Sequence, residues 1–252
     1  MNELPSKTLG AAALAIAAFR EIVSDESARA WRDTRQYSLL HIACEYGEPY
    51  LVETLLRAGF DWKANTVDEC NALDIAIHSG HVEIVELLFG HGAEIDSKYS
   101  SQNSLDLACA AGNLPMIEAL LRCGADANGT LGRRQPIFWT LEAGSTEALR
   151  LIVDAGASVD AADLLEDLEG RNWTPLRKAA AEGLADAVEL MVERGAEVNA
   201  LDADGYTPLM LSLLYFHEDV AKKIIQLGGD IDIVANDGRT ARDIIKENEL
   251  DI

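Results

Sequence analysis

Five histidines, four cysteines and a surplus of carboxylates are the side chains here that could do chemistry. His78 and His81 form a loose H-x-x-H pair, a possible start on a metal site. Neither an H-E-x-x-H arrangement nor a cysteine partner accompanies them. His78 is therefore assigned to a groove and His81 to a turn. Cys44, Cys70, Cys109 and Cys123 fit neither a zinc ligand set nor a disulfide framework, which predicts free thiols in a reducing, cytoplasmic setting. Cys44 and Cys109 fall in a row of small residues and read as inert core fillers. Cys70, near a turn tip, is the one thiol whose reactivity invites a test. The stretch "DADG" from Asp202 opens like a calcium loop, but Leu213 stands where that loop needs a bidentate glutamate. The chain contains no G-x-S-x-G, phosphate-binding loop or G-x-G-x-x-G. The expectation is no catalytic, metal or cofactor-binding residue, and no enzyme.

What remains is charge. Lys plus Arg number 21 against 43 Asp plus Glu, a formal net charge of -22 over 252 residues. Such a surface repels phosphate backbones and anionic lipid, which argues against nucleic-acid and membrane partners, and it attracts a basic protein. With 48% apolar residues the chain can bury a core. Its longest apolar run, Leu9–Phe19, is too short to span a bilayer. The run could be taken for the core of a signal peptide, but its leader is not basic. Leu9, Ala12, Ile16, Phe19 and Val23 share one helical face, so a packed N-terminal helix is predicted.

The elements that position these side chains repeat. Glycines closing short helical patterns fall at Gly47, Gly80, Gly112, Gly144 and Gly183, in steps of 33, 32, 32 and 39. A second series, Gly59, Gly92, Gly124, Gly156, Gly195 and Gly228, steps by 33, 32, 32, 39 and 33. Shared irregularities in two series fix the register. Within a unit, Thr174 and Thr207 suit an N-cap, Pro175 and Pro208 the first helical position, and Gly183 a left-handed stop. A second helix, "ADAVELMVERG", then runs to Gly195. Helices of about ten residues are marginal alone, so stability must come from stacking unit on unit.

The segment "TPLRKAAAEGLADAVELMVERGAEVNALDADGYTPL" resembles the ankyrin repeat. So does "SLLHIACEYGEPYLVETLLRAGFD", with His41 at the motif's His position, as do variants carrying Asp74 and Asp106 there. The resemblance implies an all-α solenoid of about six to seven helix-turn-helix repeats with an N-terminal capping helix. Residues 1–33 form that cap or a degenerate first repeat, and 34–252 form the repeat domain, with an insertion near 161–173 and a truncated last repeat at 233–252. Phe216 stands where the mid-repeat glycine belongs, so the turn there is expected to be altered.

The resemblance also implies a protein partner held on a concave face made of turn tips and the outer side of the first helices. Carried over by position, the first helices contribute Tyr46, His78, Trp139, Glu142 and Tyr215, along with Lys178, Glu182 and Leu214. Turn tips contribute Asp68, Glu69, Tyr99, Arg134, Trp173, Asp204 and Tyr206. Each of these aromatics either anchors a partner or packs against a neighbouring turn. Asp163, Glu166, Asp167 and Glu169 in the insertion make either a solvated loop or an acidic finger aimed at a basic cleft. Two functions fit. One is a monomer that binds, and in doing so inhibits, a basic protein, as an immunity protein does a toxin enzyme. The other is a scaffold or regulatory subunit that binds a peptide in its groove, charge serving only solubility.

Overall fold

The computed structural model describes residues 26–93, 104–129, 134–162, 173–250 and 252. The N-terminal apolar run, Tyr99 and the acids at 163, 166, 167 and 169 lie outside the described residues. Among the described residues there are fourteen helices and no strand, with one isolated bridge between Val234 and Thr240.

The chain divides into two compact units, 1–101 and 102–252. In the first, α1 (Glu26–Ala30) precedes two antiparallel pairs, α2 (Leu39–Tyr46) with α3 (Pro49–Arg57) and α4 (Ala72–His78) with α5 (Val82–Gly90). In the second, α6 (Ser104–Ala110) pairs with α7 (Leu114–Arg122) and α8 (Pro136–Glu142) with α9 (Thr146–Asp154). Next come α10 (Pro175–Ala181) with α11 (Ala185–Glu193) and α12 (Pro208–Leu214) with α13 (Glu218–Gln226), then α14 (Ala241–Glu247). Within each unit first helices pack on first helices and second on second, as an all-α repeat stack requires.

Local chemistry explains where each helix begins. The Thr174 hydroxyl accepts the Arg177 N–H and the Thr207 hydroxyl accepts that of Met210, with Pro175 and Pro208 entering at the first turn. Ser38 and His41 form a capping box: the Ser38 N–H donates to His41 Nδ1 at 3.0 Å, so the ring's proton sits on Nε2, which donates to the Ala64 carbonyl at 2.9 Å. Burial pushes the His41 pKa down, in keeping with a neutral ring. Asp74 takes the same role for Asn71, whose N–H it accepts at 3.0 Å.

Two of the second helices begin differently, while Asn113 and Ser145 cap α7 and α9 in the ordinary way. His81 and His217 stand at their N-caps without capping the helix, because each ring turns back to the preceding repeat. His81 Nε2 meets the Glu45 carbonyl at 3.2 Å, and His217 Nε2 meets that of Ala181 at 2.9 Å. Both rings cover a left-handed glycine. A Cβ on Gly47 would come within 2.4 Å of His81, and one on Gly183 within 2.7 Å of His217. Asparagines add a second tie in the larger unit. Asn128 bridges Gly156 O and Ser158 N, and Asn199 bridges Gly228 O and Asp230 N.

The turn at Phe216 corrects the expectation from sequence, for it is not altered. Phe216 adopts φ 62° and its N–H still bonds Leu213 O, as a glycine's would. Among the described residues no helix pairs with α14, and nothing covers position 216, whose side chain is 67% exposed. Glycine is required for space only where the next repeat's ring sits on it; here only the backbone conformation resists.

These contrasts predict a ranking of stabilities. In urea denaturation Gly183→Ala should cost about 2 kcal/mol or more, backbone strain plus the clash with His217. Gly195→Ala, at φ 96° with nothing within 4 Å, should cost only about 1 kcal/mol. Phe216→Gly should raise stability by about 0.5–1 kcal/mol, since relief of left-handed strain exceeds the entropy that glycine adds to the unfolded chain.

Candidate functional site

In the larger unit α10 and α12 stand side by side, each led in by a turn. The turn before α12 is built on Asp202, whose Oδ1 accepts the N–H groups of Asp204 at 3.0 Å and Tyr206 at 2.7 Å. Its Oδ2 lies 3.4 Å from Nη2 of Arg177, which the Thr174 cap directs inward at the start of α10. Both side chains are buried, at 1% exposure for Arg177 and 8% for Asp202. Burial pulls the guanidinium pKa down to about 10, which leaves it charged at neutral pH.

Above this pair opens a pocket of about 340 Å³ lined by Trp173, Arg177, Asp202, Asp204, Tyr206, Leu211, Leu214 and Tyr215. Five of the residues expected from sequence, Trp173, Asp204, Tyr206, Leu214 and Tyr215, therefore converge. Tyr206 is half-buried and held. Its hydroxyl donates to Asp237 Oδ2 at 2.5 Å and accepts from Arg239 Nη2 at 2.5 Å. That hydroxyl brings the Asp237 carboxyl down to about 2, and Asp237 in turn pushes the phenol up. Asn236 adds two ties to the same turn, at Asp204 O and Ala203 O. Tyr215 is half-exposed at the rim.

Trp139 and Glu142 make a separate cluster. The Arg134 guanidinium is 4.8 Å from the Trp139 ring centroid and donates to Glu142 Oε1 at 2.6 Å. Trp139 is thus partly sheltered by its own chain rather than wholly presented, and Lys178, expected outward, is buried and paired with Glu182 at 3.3 Å. In the smaller unit Tyr46, Asp68, Glu69 and His78 are all exposed, and no hydrogen bond or ion pair joins them to one another.

The remaining chemistry-bearing groups do not converge. His78 faces solvent while the His81 ring lies on Gly47. Among the described residues no group of three or more His, Cys, Asp or Glu could hold a metal ion. The four cysteines are free, and burial pushes the Cys44 and Cys109 thiols up to about 12. Cys70 is also raised, by burial and then by the Asp74 and Asp68 carboxylates, so the thiol that invited a test sits where thiolate is disfavoured. No described helix is long and apolar enough to cross a membrane.

Sequence reasoning missed Arg177. It occupies the His position of the repeat motif, where His41 reaches the Ala64 carbonyl. A cation at that position with an acid in the following turn, Asp202, was the available signal.

The family described as ankyrin repeats (three copies) matches residues 9–99 and 162–237, and a single ankyrin repeat matches 101–129. The chain belongs to the ankyrin repeat family, whose stacks are protein-binding modules. Ankyrin repeat-containing protein P1E11.10 of Schizosaccharomyces pombe is 36% identical over 72 residues, 29% of this chain and 35% of that protein. Mouse protein phosphatase 1 regulatory subunit 27 is 30% identical over 88 residues, 35% of this chain and 57% of that protein. The matched stretch thus spans less than two thirds of either relative's length. The ankyrin repeat domain of Bcl-3, described as a unique member of the IkappaB protein family, has a TM-score of 0.68 at 22% identity, covering 84% of this chain and 98% of that one.

The Arg177–Asp202 pair yields a prediction. Arg177→Met strands a buried carboxylate and should destabilise by about 3 kcal/mol. The double variant Arg177→Met/Asp202→Asn should recover at least half of that loss, because asparagine still accepts the turn's N–H groups while carrying no charge. A double-mutant cycle in urea measures both.

Proposed function

We propose that this chain is a non-enzymatic module that binds a basic protein through the face carrying the Trp173–Tyr215 pocket. The observation that carries the reading is the meeting of Trp173, Tyr206, Tyr215 and Asp204 in one pocket of a chain whose net charge is -22. Tyr206, already fixed by Asp237 and Arg239, loses little freedom on binding, and aromatics are the side chains that most often dominate interfaces. The surrounding acids speed the encounter with a positively charged partner and select against an acidic one. One of the relatives is named as a regulatory subunit, a role that fits binding without turnover.

Inhibition is the finer form of this reading. An acidic stack that covers the phosphate-binding surface of a basic enzyme would block it, its carboxylates standing in for phosphates, as an immunity protein against a nuclease toxin would. The acids at 163, 166, 167 and 169 are a second source of attraction in the same reading.

The test is a pull-down with identification of the bound protein, followed by titration calorimetry at two salt concentrations. The expected outcome is a basic partner whose affinity falls at least about tenfold between about 50 and about 300 mM salt. A salt-insensitive complex with a neutral or acidic protein would refute it and favour a peptide-binding scaffold.

A further inference from the structure

We infer that the pocket between α10 and α12 receives a single lysine or arginine side chain of the partner. This rests on the proposed binding of a basic protein and names the contact at its centre. At about 340 Å³ the pocket is near the lower end of the range that small ligands occupy, roughly 300–1,000 Å³, a size suited to one extended side chain.

The charges decide which side chain. Arg177 cannot greet an anion, because it is almost wholly buried and Asp202 cancels its charge. Asp204 is exposed, and among the described residues no ion pair holds its carboxylate, so the pocket presents one net negative charge. An acidic ligand would meet that carboxylate with no accessible cation to offset it. A purely apolar ligand would strip water from it without return. A lysine or arginine satisfies both halves of the lining. Its aliphatic stem lies against Leu211 and Leu214, and its cationic head meets Asp204 and the aromatic faces of Trp173 and Tyr215. Tyr206 contributes a fixed wall, since Asp237 and Arg239 hold its hydroxyl and Arg239 already stands 5.8 Å from its ring centroid.

The experiment follows the Trp173 indole N–H by NMR, assigned with Trp173→Phe, during titration with N-acetyl-N′-methylamides of arginine, lysine, norleucine and glutamate. Arginine and lysine should shift the signal and bind at least about fivefold more tightly than norleucine, and glutamate should not bind. Asp204→Asn should reduce binding of the two cations about fivefold and leave norleucine unchanged. Equal binding of norleucine, binding of glutamate, or indifference of the cations to Asp204→Asn overturns the assignment, as does an unmoved Trp173 signal with every probe. A nona-arginine peptide separates this from the broader reading. If it binds the wild type in a salt-dependent way and Asp204→Asn and Tyr215→Ala, both verified as folded by thermal melting, leave its affinity unchanged, the pocket assignment fails and acidic-surface binding stands. If it does not bind at low salt, both fail.

Discussion

His217 closes over Gly183 and donates to the Ala181 carbonyl, and His81 does the same to Gly47 and Glu45, so that a second helix starts by gripping the repeat before it. The junctions that carry such a histidine depend on this reach, while at the same place Asn113 and Ser145 cap their own helices instead. Helices of seven to nine residues lack enough internal hydrogen bonds to persist alone. The grip also settles a last-turn carbonyl that the helix itself leaves unpaired. The glycine under the ring is then needed twice, for its backbone angle and for its missing Cβ. Asn128 and Asn199 repeat the principle at the other end of the unit, tying one loop to the next.

The pocket is a by-product of the same constraint. Stacked first helices stand apart by the width of their side chains, and the turns that lead into them define what lines the gap. Between α10 and α12 the gap has a charged floor, since Arg177 and Asp202 replace the histidine-to-carbonyl link that His41 makes in the smaller unit. Asp202 also organises its own turn, which fixes where Asp204 and Tyr206 stand. The turn that seals the buried pair also presents the exposed carboxylate and an aromatic wall.

Phe216 illustrates the reverse case, a residue the stack does not need. At Gly47 and Gly183 a ring from the next repeat occupies the space a side chain would need, whereas Gly80 and Gly144 have nothing within 4 Å. No described element imposes that demand on position 216, so the residue is free to serve a surface. The net charge of -22 acts at longer range and on a different quantity, the rate and selectivity of encounter rather than the shape of any one contact.

The residues alone determined the repeat register, the helix starts and stops, and the burial of Cys44 and Cys109, because each follows from chemistry within a few positions: a hydroxyl cap, a proline, a glycine, an apolar stripe. They also singled out Trp173, Asp204, Tyr206 and Tyr215, which line one pocket. Tertiary structure decided what those side chains do there. Lys178 turned inward and Trp139 was half sheltered by Arg134, while Arg177 went to the buried floor and Phe216 kept a glycine's turn. The place of Arg177 depends on which side chain of the next repeat arrives, here Asp202, 25 residues later, and from what direction. That is set by the packing of one helix pair on another, and no local pattern contains it.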